Sequence, residues 1–174
     1  MDILNQIRDF TFQTAFSKGL LFGPKIEEIE LPSDITHQFA DRIILDFEKL
    51  RPITNIDDIR IELLRGFVYM FDKGVEISYF SRLFKNTEIE YNFGDLMNGI
   101  SCDTIPIYIQ EKVNSVIAVL ADIYNTTFEF IYQNETNLTK NNTETKELMK
   151  LLLVGGAFLG VEFCLRIKLQ DDSW

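Results

Sequence analysis

"LLLVGGAFLGVEFCL", residues 151–165, is the least polar stretch of the chain, apolar like a membrane span yet holding three glycines and one glutamate. A membrane-spanning helix needs about 20 predominantly apolar residues. This run has 15, Glu162 interrupts it, and Lys150 and Arg166 bound it. It is too short for a span, and a helix that is apolar all round belongs inside a core. Each glycine within a helix costs about 1 kcal/mol relative to alanine. Gly155, Gly156 and Gly160 therefore call for compensation, and the usual one is close approach of a second helix. Two alternatives stand beside that reading. Gly156 and Gly160 form GxxxG, a spacing that supports self-association and with it a homo-oligomer, although the motif carries weight mainly inside membranes. Gly155–Gly156 also leaves room for a kink or a ligand niche. Glu162 and Arg166, four residues apart in the favourable order, predict an ion pair facing water or a polar groove.

The rest of the chain reads as further helices. Leu4, Ile7 and Phe10 recur at helical spacing over residues 2–17, and Gly19 ends that segment. Pro32, Ser33 and Asp34 carry helix-start chemistry. Ile35, Phe39, Ile43, Phe47 and Leu50 then form an amphipathic stripe that "RPIT" breaks. Thr54 and Asp57 resemble a capping arrangement for a strong helix to about Lys73, with Gly74 as its stop. That helix carries two apolar stripes, Ile56/Ile59/Leu63/Phe67/Met70 and Ile61/Leu64/Val68/Phe71, and a narrow polar face of Asp58, Glu62, Arg65, Tyr69 and Lys73. Contact on two sides places it centrally in a bundle. A shorter helix follows from Ile77 to about Lys85. Residues 86–103 are irregular. A helix capped by Asp103 or Thr104, with Pro106 in its first turn, runs to about Tyr132. Its buried face reads Ile109, Val113, Val116, Ile117, Leu120, Tyr124, Phe128 and Ile131. Residues 133–144 form a flexible polar loop, and the last helix starts near Glu144 and ends before "QDDSW".

The fold expectation is an all-α, single-domain helical bundle over residues 1–174, with about five to seven helices and a buried apolar C-terminal helix. A chain of 174 residues with 46% hydrophobic and 13% aromatic content can bury such a core without a metal or disulfide.

Charge narrows the function. Lys and Arg number 17 against 27 Asp and Glu, a formal charge of −10. Nucleic-acid binding needs clustered bases, and anionic lipid repels an acidic surface, so neither direct nucleic acid nor membrane is expected as a partner. A basic protein is attracted by the same field. Cys102 and Cys164 stand far apart without CxxC, and "MDILNQIRDF" lacks a basic n-region followed by an apolar run; both suit a cytoplasmic setting.

Catalytic chemistry finds little to work with. The single histidine, His37, has no nucleophile partner in the sequence. Asp34, His37 and Asp41 share a helix face at i, i+3 and i+7 and are the only grouping with metal-ligand character. The dimetal carboxylate bundles use Glu-x-x-His twice, and no second copy exists here, so no metal or other cofactor is expected. "GGAFLG" lacks the preceding strand and the lysine of a phosphate loop.

The charge distribution is more informative. From Asn86 through Glu111 there are five acids (Glu88, Glu90, Asp95, Asp103 and Glu111) and no Lys or Arg. Ile89, Tyr91 and Phe93 alternate with them. Aromatic anchors supply binding energy and charges speed encounter with a basic partner, which makes Glu88, Glu90, Tyr91, Phe93 and Asp95 the candidate partner-binding residues. The expectation is a non-enzymatic, acidic protein-binding regulator, an inhibitor or immunity-type protein for a basic, nucleic-acid-handling target. A self-assembling scaffold or complex subunit using Gly156 and Gly160 is the alternative. A small-ligand or metal-binding bundle around Asp34, His37 and Asp41 is the third.

Overall fold

A computed structural model describes residues 3–21, 33–50, 56–84, 105–134 and 142–166. Among the described residues six helices form and no strand: α1 (Ile3–Ser17), α2 (Ser33–Leu50), α3 (Ile56–Phe84), α4 (Ile107–Ser115), α5 (Ile117–Asn134) and α6 (Asn142–Arg166). This is the all-α bundle expected from the periodicity. None of these helices is long and apolar enough to cross a membrane.

α3 and α6 form the axis. Their register climbs together: a β-carbon on Gly66 would approach Leu153, one on Gly156 would meet Phe67, and one on Gly160 would meet Phe71. The two helices are therefore parallel. Their separation is too small for any side chain at the crossing. A β-carbon on Gly160 would lie 2.0 Å from the Phe71 carbonyl oxygen, and one on Gly74 would lie 2.1 Å from that of Ala157. The glycine hydrogens at those sites point at the opposing carbonyls, the arrangement of Cα–H···O contacts between helices. Phe71 and Phe163 flank the crossing with ring centroids 5.4 Å apart.

Gly74 accordingly corrects the sequence reading. It does not stop the helix, and α3 runs unbroken through it to Phe84. Glycine's helix penalty is offset by the close approach its missing side chain permits. Lys73 also departs from expectation: placed on the polar face by the wheel, it is buried and pairs with Glu76 at 3.1 Å. Ile61, assigned to the second apolar stripe, is exposed.

α4 and α5 make the return leg, antiparallel to α3. Val75 lies beside Ile109, Phe67 beside Tyr124, and Arg60 beside Asn125 and Glu129. The sequence reading has one helix here, whereas the structure has two. At Val116 the backbone takes φ −109° and ψ 5°, and its N–H donates to the Val113 carbonyl at 3.1 Å. The Ser115 hydroxyl donates back to Lys112 O at 2.7 Å, the local competition that disfavours helix continuation at serine. The break resets the buried phase. Ile109, Val113, Leu120, Tyr124, Phe128 and Ile131 are buried as expected, but Ile117 is exposed and Ile123 is buried in its stead. Pro106 stands at the N-cap rather than in the first turn.

The remaining helices close the bundle. α1 ends at Ser17 and Gly19 follows in the left-handed region, φ +81°, as its terminating role requires. Phe10 of α1 stacks on Phe130 of α5 at 4.0 Å. α2 lies against α6 and α3, where Ile43 meets Gly66 and Asp41 pairs with Lys150 at 3.1 Å.

Candidate functional site

The residues singled out by sequence fall in different places. Glu88, Glu90, Tyr91, Phe93 and Asp95 lie outside the described residues, as do Cys102 and most of the 133–144 loop. Asp34 and His37 sit near the start of α2 with side chains outside the described set, whereas Asp41 is exposed and engaged with Lys150. Among the described residues no three His, Cys, Asp or Glu side chains stand close enough to hold a metal. Gly156 and Gly160 face α3 of the same chain, and Cys164 is a buried thiol. The Glu162–Arg166 ion pair forms, but not in water: Glu162 is 1% exposed and its Oε2 has no hydrogen-bond partner.

Two polar constellations remain, both on α3. The first is centred on Arg60, near the helix start. Its guanidinium pairs with Glu129, donates from Nε to Asn125 Oδ1 at 3.3 Å, and lies 5.4 Å from the Phe128 ring centroid. The Tyr124 hydroxyl donates to the Arg60 carbonyl. Burial pushes that phenol's pKa up, with the Arg60 charge opposing. These bonds all run between α3 and α5, so the cluster clamps the two helices together.

The second constellation is a notch between α3 and α4 with a cavity volume of about 90 Å³. Val75, Ile109 and Val113 form apolar walls, and Asp72, Gln110 and Asn114 bring polar groups. Gln110 is held by donation from Nε2 to the Ile105 carbonyl at 2.6 Å. Asn114 is exposed at the rim. Asp72 is half-buried and, among the described residues, makes no hydrogen bond or ion pair. Burial pushes its carboxyl up to about 6; the Glu76 carboxylate adds to the rise and the Lys73 ammonium opposes it. A titratable group displaced toward neutrality in a cleft is a mark of functional sites, though ion-pair networks produce it too.

Sequence reasoning missed Asp72 because the wheel placed it on neither stripe nor polar face. One signal was available: Asp72 and Glu76 are like charges at i, i+4, an unfavourable spacing on an isolated helix. That α4 packs over them is a long-range fact that no local pattern carries. No family model, characterised protein or solved structure matches this chain.

Proposed function

We propose that the chain is a non-enzymatic, acidic protein-binding regulator, of inhibitor or immunity type, whose target is a basic protein that handles nucleic acid. The observation that carries the reading is the run from Asn86 through Glu111, with five acids, no base, and Ile89, Tyr91 and Phe93 set among them. Support comes from the described end of that run. Ile107 is 71% exposed at the start of α4, and Glu111 is exposed one turn later on the same face. An uncovered apolar side chain beside a carboxylate has the character of an interface edge. Residues 86–104 alone bring four acids and no base to a chain whose formal charge is −10. Self-assembly through Gly156 and Gly160 finds less support, because it would require α3 to leave α6.

The test is capture from a lysate of the source cells, with the native chain and a Glu88→Lys/Glu90→Lys/Asp95→Lys variant as baits. The expected result is a basic protein retained at low salt, released at high salt, and bound at least tenfold more weakly by the variant. No retained protein, or one retained equally by the variant, would refute the reading.

A further inference from the structure

We infer that the notch between α3 and α4 is a binding site for one alkylammonium group, either a lysine side chain of a protein partner or a free primary amine. Asp72 would take the charge, and Val75, Ile109 and Val113 would flank the methylenes. Only the lysine source rests on the proposed regulatory function.

Size, chemistry and charge agree. The notch, with a cavity volume of about 90 Å³, is small and suits the end of one slender chain rather than a larger ligand. Three aliphatic walls suit a hydrocarbon stem, and amphipathic lysine stems pack on such surfaces while the head seeks a polar partner. Among the described residues the local charge is unbalanced. On α3, Asp72 and Glu76 face a single cation, Lys73, which is already bonded to Glu76 at 3.1 Å. α4 presents only Gln110 and Asn114 to the notch, both uncharged. One incoming cation therefore neutralises the group, whereas an anion or a neutral ligand leaves Asp72 uncompensated. A guanidinium is a broad planar fork of five donors that finds a single carboxylate in a notch this small, and a divalent cation finds one carboxylate where it needs several oxygen ligands.

The experiment titrates n-butylammonium chloride into the isotopically labelled full chain at pH 7.5, followed by amide chemical shifts, with n-butanol as the neutral isostere. The expected result is a saturable shift in the millimolar range centred on Asp72, Gln110 and Asn114, absent with butanol. Asp72→Asn should weaken binding at least tenfold. The unmodified chain should bind about tenfold more weakly at pH 5, because a carboxyl with pKa about 6 is then ionised in roughly one molecule in eleven. No saturable shift at pH 7.5, an equal response to butanol, or binding unchanged by both Asp72→Asn and low pH would overturn the assignment. Because the titration uses the chain alone, it can succeed where partner capture fails, and the reverse. If a partner is captured, its release by butylammonium beyond the effect of equal sodium chloride assigns the amine to that partner's lysine. Intact capture assigns it to a free amine.

Discussion

Gly155 and Gly160 lie on one helix five residues apart, and alanine at the two positions should move stability in opposite directions. On intrinsic helix propensity alone, each Gly→Ala change gains about 1 kcal/mol. At Gly155 little opposes that gain, since the nearest atom to a new β-carbon is Thr11 Oγ1 at 4.0 Å. At Gly160 the same carbon would sit 2.0 Å from Phe71 O, 2.9 Å from its carbonyl carbon and 3.0 Å from Val75 N. All three are backbone atoms of α3, so no rotamer change relieves the clash and the helices must part along their whole contact. Overpacking a core costs about 1–3 kcal/mol and more where backbone must move. After subtracting the propensity gain, Gly160→Ala should lose at least about 2 kcal/mol. For a chain of this size each kcal/mol shifts Tm by about 2–4 °C. The expected outcome is a Tm lower by roughly 4–8 °C for Gly160→Ala and higher by roughly 2–4 °C for Gly155→Ala. Thermal unfolding followed by circular dichroism, at matched pH and several protein concentrations, measures both. Equal stabilisation of the two variants would refute the parallel α3–α6 packing, because only propensity would then be acting. A loss at Gly160 that disappears on dilution would place the contact between chains instead of within one.

Two further perturbations test the polar constellations. The Asp72 carboxyl has a folded pKa raised from 3.8 to about 6, so the folded chain binds its proton more tightly than the unfolded one. That contribution to stability is fully present below pH 4 and lost as pH rises through 6, and Asp72→Asn removes the loss. Discounted for its partial exposure to solvent, the effect should be a stabilisation of about 1–2 kcal/mol at pH 7.5 that vanishes near pH 4. Urea unfolding at the two pH values reads it, and a pH-independent difference would refute it. Tyr124→Phe removes the hydroxyl that donates to Arg60 O and should cost about 1 kcal/mol, seen as a lower urea midpoint at unchanged slope. An unchanged midpoint would show that α5 is not clamped through that bond.

Local patterns carried the helices well where one face meets the core. The 2–17 and 33–50 segments end within a residue or so of their observed bounds, because Gly19 and the Pro32–Ser33–Asp34 group act within a single turn. The same rules misread Gly74. A glycine after an amphipathic stretch has the signature of a C-cap, and only the presence of Ala157 opposite it shows that the residue is mid-helix. Val116 shows the converse, since a strong apolar repeat runs across a break that the Ser115 hydroxyl and the bridge-region backbone impose. Helical spacing put Lys73 on the polar face and Glu162 toward water or a polar groove, because spacing within one helix carries nothing of a second layer; both lie buried in ion pairs. Of the candidate sites, the glycine helix was legible as a close-packed core element, and the Asp72 notch was not.

That contrast bears on where function resides. A sequence specifies its fold when local preference and tertiary packing agree, and disagreements need a compensating contact. Gly74, Gly156 and Gly160 disagree with helix propensity, and α3–α6 contact compensates them. Arg60 sits partly buried, and Glu129, Asn125 and the Phe128 ring compensate it. The buried Glu162 has Arg166. Asp72 is different. It is a half-buried carboxylate four residues from a second acid, it makes no hydrogen bond or ion pair among the described residues, and its raised pKa destabilises the fold at neutral pH. Asparagine has nearly the same shape and would remove that penalty. A neutral amide would serve the packing equally well, so what distinguishes aspartate at this position is its charge, and the use for a negative charge beside three aliphatic walls is to hold a cation on a hydrocarbon stem.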